Sequence, residues 1–241
     1  MSIRNAPFIA SAKRGILRCL GAYDYVRRAP RQHWQGPFNN QVGRQLIFRD
    51  LVTACGFSAI VETGTFQGDT AAYLHEQSGL PVHTVEVYPR FFQSAKLRLR
   101  RLRGVHVYRD DSVAFLKELS NRGVPARRDV FFYLDAHWYQ KLPIKDELSV
   151  IFQRWPDAVI MIDDFQVIDD PGYGFDDYGA VGALNLQLFE RLALEGLRAW
   201  FPRLPAADET GAKRGSIVLT LDPQRAEQLN ALASLREWLL V

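Results

Sequence analysis

Five apolar runs in this chain each end on an acid, and the acids recur at nearly constant spacing. Ala59-Ile60-Val61 precedes Glu62, His83-Thr84-Val85 precedes Glu86, and Val105-His106-Val107-Tyr108 leads to Asp110-Asp111. Val130-Phe131-Phe132-Tyr133-Leu134 precedes Asp135, and Ala158-Val159-Ile160-Met161-Ile162 precedes Asp163-Asp164. The steps from Glu62 to Glu86, Asp111, Asp135 and Asp163 are 24, 25, 24 and 28 residues. Each step is about the length of one strand, one helix and two short loops. A parallel sheet built from such units places the carboxyl ends of its strands on one edge, where ligands bind. The cadence predicts an α/β fold, a doubly wound, mostly parallel Rossmann-like sheet, with a row of carboxylates along a ligand crevice.

A chain of 241 residues can bury one sizeable α/β core and still carry an extension. Cys19 and Cys55 are too few for a disulfide framework or a Cys-rich zinc site. Low cysteine use fits a reducing compartment. No apolar stretch reaches the ~18–20 residues needed to cross a bilayer. Lys13, Arg14 and Arg18 break what would be the apolar core of a signal peptide. The expectation is a cytoplasmic protein without stable membrane insertion.

Residues 1–38 form a basic, helical N-terminal extension, and residues 39–241 the main domain. Residues 1–35 carry seven basic side chains against one acid, Asp24. Such an arm suits an acidic partner, a phosphorylated substrate or a membrane surface, and it suits equally a solvated helix packed on the domain. It also offers a surface for a homodimer. The basic residues Lys96, Arg98, Arg100, Arg101 and Arg103 read as a solvated helix face. They lack the interleaved aromatic platform of single-strand binders, so no nucleic-acid partner is expected.

Within the domain, Asn39 or Asn40 is expected to cap a helix over about 41–55. Strands are expected near 58–62, 82–86, 105–109, 130–134 and 158–162. Helices are expected over about 69–78, 90–103, 112–121, 143–153 and 180–196. Leu197–Leu221 reads as a terminal strand pair, which supplies an antiparallel edge. Leu229, Leu232, Leu235 and Leu239 are in helical phase and predict a helix over 223–241.

The segment Val61-Glu62-Thr63-Gly64-Thr65-Phe66-Gln67-Gly68-Asp69-Thr70 is a strand, a tight turn and a helix start. Gly64 permits a sharp turn and close approach of a ligand to the backbone. Gly68 permits close packing, and Asp69 or Thr70 can cap the new helix. The spacing is not the Gly-x-Gly-x-x-Gly of dinucleotide binders, and the acid before the first glycine favours a cationic or amine-bearing ligand. Glu86, at the next strand end, can accept bonds from both hydroxyls of a ribose. Asp111-Ser112 can read an adenine edge. An acid at a strand end can equally be a helix cap.

Segment 58–165 resembles the class I S-adenosylmethionine-dependent methyltransferases. Glu62, Gly64 and Gly68 match that superfamily's first motif, which implies that they, with Thr65 and Thr70 in the same turn, hold the methionine part of the cofactor. Glu86 matches its ribose acid, and Asp111 with Ser112 its adenine-side motif. The resemblance covers roughly residues 40–221.

Asp135-Ala136-His137-Trp138 and Asp163-Asp164-Phe165 end the fourth and fifth strands. If those strands are neighbours, three carboxylates converge, which raises their pKa values or demands a cation. Oxygen donors favour Mg²⁺ or Ca²⁺ over zinc. Asp135 with Asp163 and Asp164 resembles the metal site of macrocin-type O-methyltransferases and the related cephalosporin-hydroxylase-like family. That resemblance implies a divalent ion, possible as Mg²⁺, on these three aspartates, with Asp135 also beside the cofactor. This chain departs from the pattern in carrying His137 where the family has a second acid. The histidine can act as general base, as metal ligand, or without metal; His137 and Asp135 are the catalytic candidates.

No Gly-x-Ser-x-Gly elbow supports hydrolysis. The loop Gln166–Tyr178, rich in Asp and Gly, suits a mobile lid for hydroxyl-rich or cationic substrate groups, or a solvated surface loop. Lys213-Arg214 suits an anionic substrate group or a turn. The expected activity is O-methylation of a small hydroxylated metabolite, of sugar or natural-product type. The alternatives are an S-adenosylmethionine- or nucleotide-binding protein without methyl transfer, and a metal-assisted hydroxylase-like enzyme on the same scaffold.

Overall fold

The computed structural model describes residues 6–27, 35–137, 142–189, 192 and 194–239. Trp138 and the expected arm's residues 1–5 and 28–34 lie outside them. Helix α1 (Ala6–Arg27) precedes α2 (Val42–Cys55). Then follow β1 (Ala59–Thr63), α3 (Asp69–Ser78), β2 (Val82–Val85), α4 (Pro89–Leu99) and β3 (Val105–Tyr108). After them come α5 (Ser112–Arg122), β4 (Val130–Leu134), α6 (Ile144–Arg154) and β5 (Val159–Asp163). The chain ends with β6 (Arg198–Pro202), β7 (Ser216–Thr220), α7 (Pro223–Asn230) and β8 (Leu235–Trp238).

The eight strands form one sheet in the order β3-β2-β1-β4-β5-β7-β6-β8. Strands β1 to β5 run parallel. The remaining three add antiparallel: β7 on β5, β6 on β7 and β8 on β6. After β3 the chain crosses back to lay β4 on the free side of β1. That reversal opens a crevice at the carboxyl ends of β1 and β4.

Alternation along the central strands divides the core into two layers. Val61, Phe132, Leu134, Ile160 and Ile162 face α5 and α6, where Leu116, Leu148, Ile151 and Trp155 are buried. Ile60, Phe131, Tyr133, Val159 and Met161 face the other way, onto Phe38, Ile47, Phe48 and Leu51 around α2. Each fully buried side chain of this size contributes about 1.5–3 kcal/mol relative to exposure. Strands buried on both faces explain the continuous apolar runs of the sequence.

Within the expected extension, residues 6–27 form α1, which packs on α4. Gly21 lets α1 approach closely, since a Cβ there would stand 2.2 Å from the Arg90 carbonyl oxygen. Arg90 donates to both carboxylate oxygens of Asp24 at 2.6 and 2.9 Å. Among the described residues, no helix is long and apolar enough to cross a membrane.

Several local expectations are corrected. Instead of a helix over 180–196, the chain forms single 3-10 turns at Gly179–Val181 and Leu186–Leu188. Gly182, at φ 126°, ends the first turn, and the Asn185 side chain caps the second by accepting from Gln187 N. The helix expected over 223–241 stops at Asn230, and residues 235–238 pair with β6 instead. Without β8, β6 would be an open edge, so pairing overrides the helical phase of the leucines. Asn39 and Asn40 have positive φ and do not cap α2, whose N-cap is Gln41. Gly68 is the N-cap of α3. Asp69 pairs with Arg98, and Thr70 Oγ1 accepts from Phe38 N at 3.2 Å.

Candidate active site

The turn after β1 is held from both neighbouring strands. Gly64 N and Thr65 N both donate to the Val85 carbonyl at 3.0 Å, and Asp135 N donates to the Thr63 carbonyl at 2.9 Å. Gly64 has φ 89°, and a Cβ there would stand 2.2 Å from the Asp135 carbonyl oxygen. Only glycine fits, both for conformation and for space. The sequence thus folds its glycine turn directly against the end of β4.

Glu62 is fully buried and accepts from Thr84 Oγ1 at 2.5 Å, and its other oxygen has no partner. Burial raises its carboxyl to about 8, so it is a neutral hydrogen-bonding group near pH 7. Thr65 and Thr84 share a 2.6 Å hydroxyl contact. Glu86 accepts from Phe66 N and Tyr88 N, both at 2.8 Å. It therefore ties the turn to the end of β2, with second lone pairs left for a ligand. Asp111 is the N-cap of α5, accepting from Val113 N and Ala114 N, and Ser112 begins that helix. The three strand ends β1, β2 and β3 are adjacent in the sheet, and the Thr70 hydroxyl accepts from Phe38 N.

On the other side of the crevice, the expected trio of aspartates separates. Asp163 is fully buried and takes hydrogen bonds from Arg44, the Tyr133 hydroxyl, Asn39 Nδ2 at 3.2 Å and Asp164 N at 2.6 Å. Four donors and the Arg44 charge satisfy it within the protein. His137, rather than Asp163, groups with Asp135 and Asp164. Asp135, His137 and Asp164 offer ligand atoms all within 4.8 Å of one another.

His137 is buried, yet neither ring nitrogen has a hydrogen-bond partner. Its Nε2 stands 3.5 Å from Asp164 Oδ2 and 3.8 Å from both Asp135 Oδ1 and Asp176 Oδ2. Burial alone would lower its pKa, but Asp164 first, then Asp163 and Asp176, hold the proton and raise it above the ordinary value. Asp164 moves the other way: burial opposes ionisation, but His137 and Arg214 bring it down to about 2. Burial together with the Asp163 and Asp164 charges pushes the Asp135 carboxyl well above the usual carboxylate range.

Arg214 Nε donates to Asp164 Oδ1 at 2.7 Å, and its Nη2 donates to Asp176 Oδ1. The expected substrate-binding pair Lys213-Arg214 is thus engaged internally, with Lys213 Nζ on the Ala206 and Ala207 carbonyls. Sequence reasoning missed Arg44, and the signal was present. Arg44 lies in phase with Phe48, Leu51 and Cys55 on the buried face of α2, where an unpaired charge would be untenable. Glu147 was missed in the same way. It shares the buried face of α6 with Ile144, Leu148 and Ile151, and burial raises its carboxyl to about 7 beside Ser112 and Thr63.

No protein-family profile matches the sequence, and no curated protein matches it. Solved structures do match in fold. The O-methyltransferase from Bacillus cereus in complex with SAH aligns with 88% of this chain and 91% of its own, at TM-score 0.55 and 18% identity. TomG from Streptomyces achromogenes, an O-methyltransferase involved in tomaymycin synthesis and bound to SAM, aligns with 73% of this chain and 78% of its own, at TM-score 0.53 and 19% identity. The SAH-bound methyltransferase PaMTH1 from Podospora anserina aligns with 91% of this chain and 98% of its own, at TM-score 0.53 and 13% identity. This chain has their Rossmann-like methyltransferase fold.

Proposed function

We propose that this chain is an S-adenosylmethionine-dependent O-methyltransferase for a small hydroxylated metabolite of sugar or natural-product type, assisted by a divalent cation such as Mg²⁺. The observation that carries the reading is the contact of the Gly64 turn with the Asp135 backbone. It sets a ligand-accessible glycine turn directly beside the Asp135–His137–Asp164 cluster. The methyltransferases that share the fold, with SAM or SAH bound in their structures, support the same reading.

S-adenosylmethionine, when bound, supplies an electrophilic methyl group, and a divalent cation, when bound, supplies positive charge that favours an ionised hydroxyl. Gly64, Thr65 and Gly68 would give the cofactor backbone access at the turn. Glu86 would accept from its ribose, and Ser112 would lie on the adenine side with Asp111 fixing the helix start. Asp135, His137 and Asp164 would hold the cation, for which the partnerless buried imidazole is the fit. The second oxygen of Asp135, the most exposed of the three side chains at 32%, would take the substrate proton. His137 would then serve the cation as a neutral nitrogen donor instead of acting as a free base. Methyl transfer itself needs mainly alignment and exclusion of water. A cytoplasmic setting, with α1 available for a homodimer, belongs to the same reading.

Calorimetric titration with S-adenosylmethionine and with NAD tests the proposal. Tight binding of the first alone is expected, followed by mass-spectrometric detection of methyl transfer to polyhydroxylated acceptors. A chain that binds neither molecule is not this enzyme.

A further inference from the structure

The loop between β5 and β6 brings a third acid to the cluster. Asp176 N donates to the Asp164 carbonyl at 2.9 Å, and Leu184 N donates to the Asp176 carbonyl at 2.9 Å. Gly174 N donates to the Lys213 carbonyl at 2.9 Å, and Gly215 N, just before β7, donates to the Gly174 carbonyl at 2.8 Å. The loop is therefore docked by backbone bonds that hold Asp176 beside Asp164.

Arg214 divides the oxygens of these two carboxylates. It takes Oδ1 of Asp164 and Oδ1 of Asp176. The Oδ2 atoms lie 3.5 and 3.8 Å from His137 Nε2, and that of Asp176 also accepts from the Tyr178 hydroxyl, which leaves it one lone pair. Those separations are too long for good hydrogen bonds. They are close to the ~3.0–3.5 Å between adjacent donors around an ion bound at about 2.1 Å. The charges agree with this. Arg44 neutralises Asp163, and Arg214 offsets one of the three carboxylates of Asp135, Asp164 and Asp176. An ion displaces the protons that His137 and Asp135 hold without it, and the two negative charges then left over are balanced by one divalent ion.

We propose that Asp176 is a fourth donor to the divalent cation held by Asp135, His137 and Asp164, and that this mixed nitrogen and oxygen set favours a first-row transition ion such as Mn²⁺ over Mg²⁺. The inference rests on the cation reading above and goes beyond it in ligand set, ion class and consequence. Asp135, His137 and Asp164 form the compact preset triad, while Asp176 approaches from the loop, with Arg214 and the Tyr178 hydroxyl as its supports. An imidazole nitrogen strengthens binding of transition ions relative to Mg²⁺. A donor on a loop means that the ion adds one more tie between the docked loop and the end of β5.

The test uses the full chain, with Mn²⁺ and Mg²⁺ as probes. Binding is measured by electron paramagnetic resonance and calorimetry, and the loop is followed by chymotryptic cleavage at Tyr173, Phe175 or Tyr178. The expected result is Mn²⁺ binding at least about tenfold tighter than Mg²⁺, with slower loop cleavage when Mn²⁺ is present. Asp176→Asn should weaken Mn²⁺ by about 10–100-fold and remove the protection. Asp169→Asn, on the same loop but paired with Arg236, should change neither. If Asp176→Asn fails to fold by circular dichroism, Asp176→Glu carries the same test with its charge kept and its oxygen displaced. Wild-type binding of Mn²⁺ that survives loss of Asp176, or a preference for Mg²⁺, overturns this proposal and leaves the cation reading standing. A wild-type chain that takes up neither ion overturns both.

Discussion

Asp163 and Asp164 are adjacent in the chain and answer to different cations. Asp163 ends β5 and is held by Arg44 from α2, while Asp164 is held by Arg214 from the start of β7. The backbone makes the division. Asp164 has φ 53°, a left-handed conformation that Asp tolerates better than most residues. The turn directs the two carboxylates apart, one into the core and one into the crevice.

Removing Arg44 should expose how much the first partnership contributes. Arg44→Met leaves Asp163 buried without a counter-charge, which typically costs about 3–5 kcal/mol. Urea denaturation measures it. The double variant Arg44→Met/Asp163→Asn should recover part of that loss, because the stranded charge is gone. Equal destabilisation by the single and double variants would show that packing, and not the charge, is what Arg44 supplies.

His137 separates two chemistries. As a donor to a cation, its loss should lower turnover and weaken Mn²⁺ binding together, the latter by at least about 10–100-fold, with S-adenosylmethionine affinity little changed. As a free general base, its loss should lower turnover by about 10²–10⁴-fold with cation affinity intact. Measuring both quantities on His137→Ala decides the role, and an unaltered kcat would remove the residue from the mechanism.

The parallel part of the fold was legible because strands buried on both faces must be continuous apolar runs, and the acids after them mark one sheet edge. The far edge was not. Leu229, Leu232 and Leu235 satisfy a helical period locally, but β6 needs a partner, and no local pattern records that need. Within the site, the positions of Asp135, His137 and Asp164 could be read from strand ends. The withdrawal of Asp163 could not, because it depends on Arg44 lying 119 residues away in sequence. The donor role proposed for Asp176 depends likewise on Arg214, a residue that reads as an ordinary turn position until the loop is docked beside β7.

Gly64 admits a sharp test of the crevice. With φ 89° and a Cβ position 2.2 Å from the Asp135 carbonyl oxygen, Gly64→Ala must move either the turn or the end of β4. The substitution should destabilise the chain by more than about 1 kcal/mol. It should also weaken S-adenosylmethionine by about tenfold or more, equivalent to ~1.4 kcal/mol. Thermal melts and cofactor titration read the two effects separately. A variant with wild-type affinity would mean that the cofactor does not use this turn.

Glu147 should make stability depend on pH in a defined direction. It is fully buried, and burial raises its carboxyl from the ordinary 4.5 to about 7. Below pH 4.5 it is protonated in both folded and unfolded chains and has no effect. As pH rises from there, the unfolded chain releases this proton while the folded chain keeps it, so stability falls. The loss is complete near pH 7, where the folded carboxyl also ionises, and amounts to about 3 kcal/mol. Glu147→Gln keeps the shape and cannot ionise. It should therefore match the wild type near pH 4.5 and exceed it at pH 8, with a flatter profile between. Denaturation midpoints across that range decide the matter, and parallel profiles for the two proteins would mean that Glu147 does not hold its proton in the folded state.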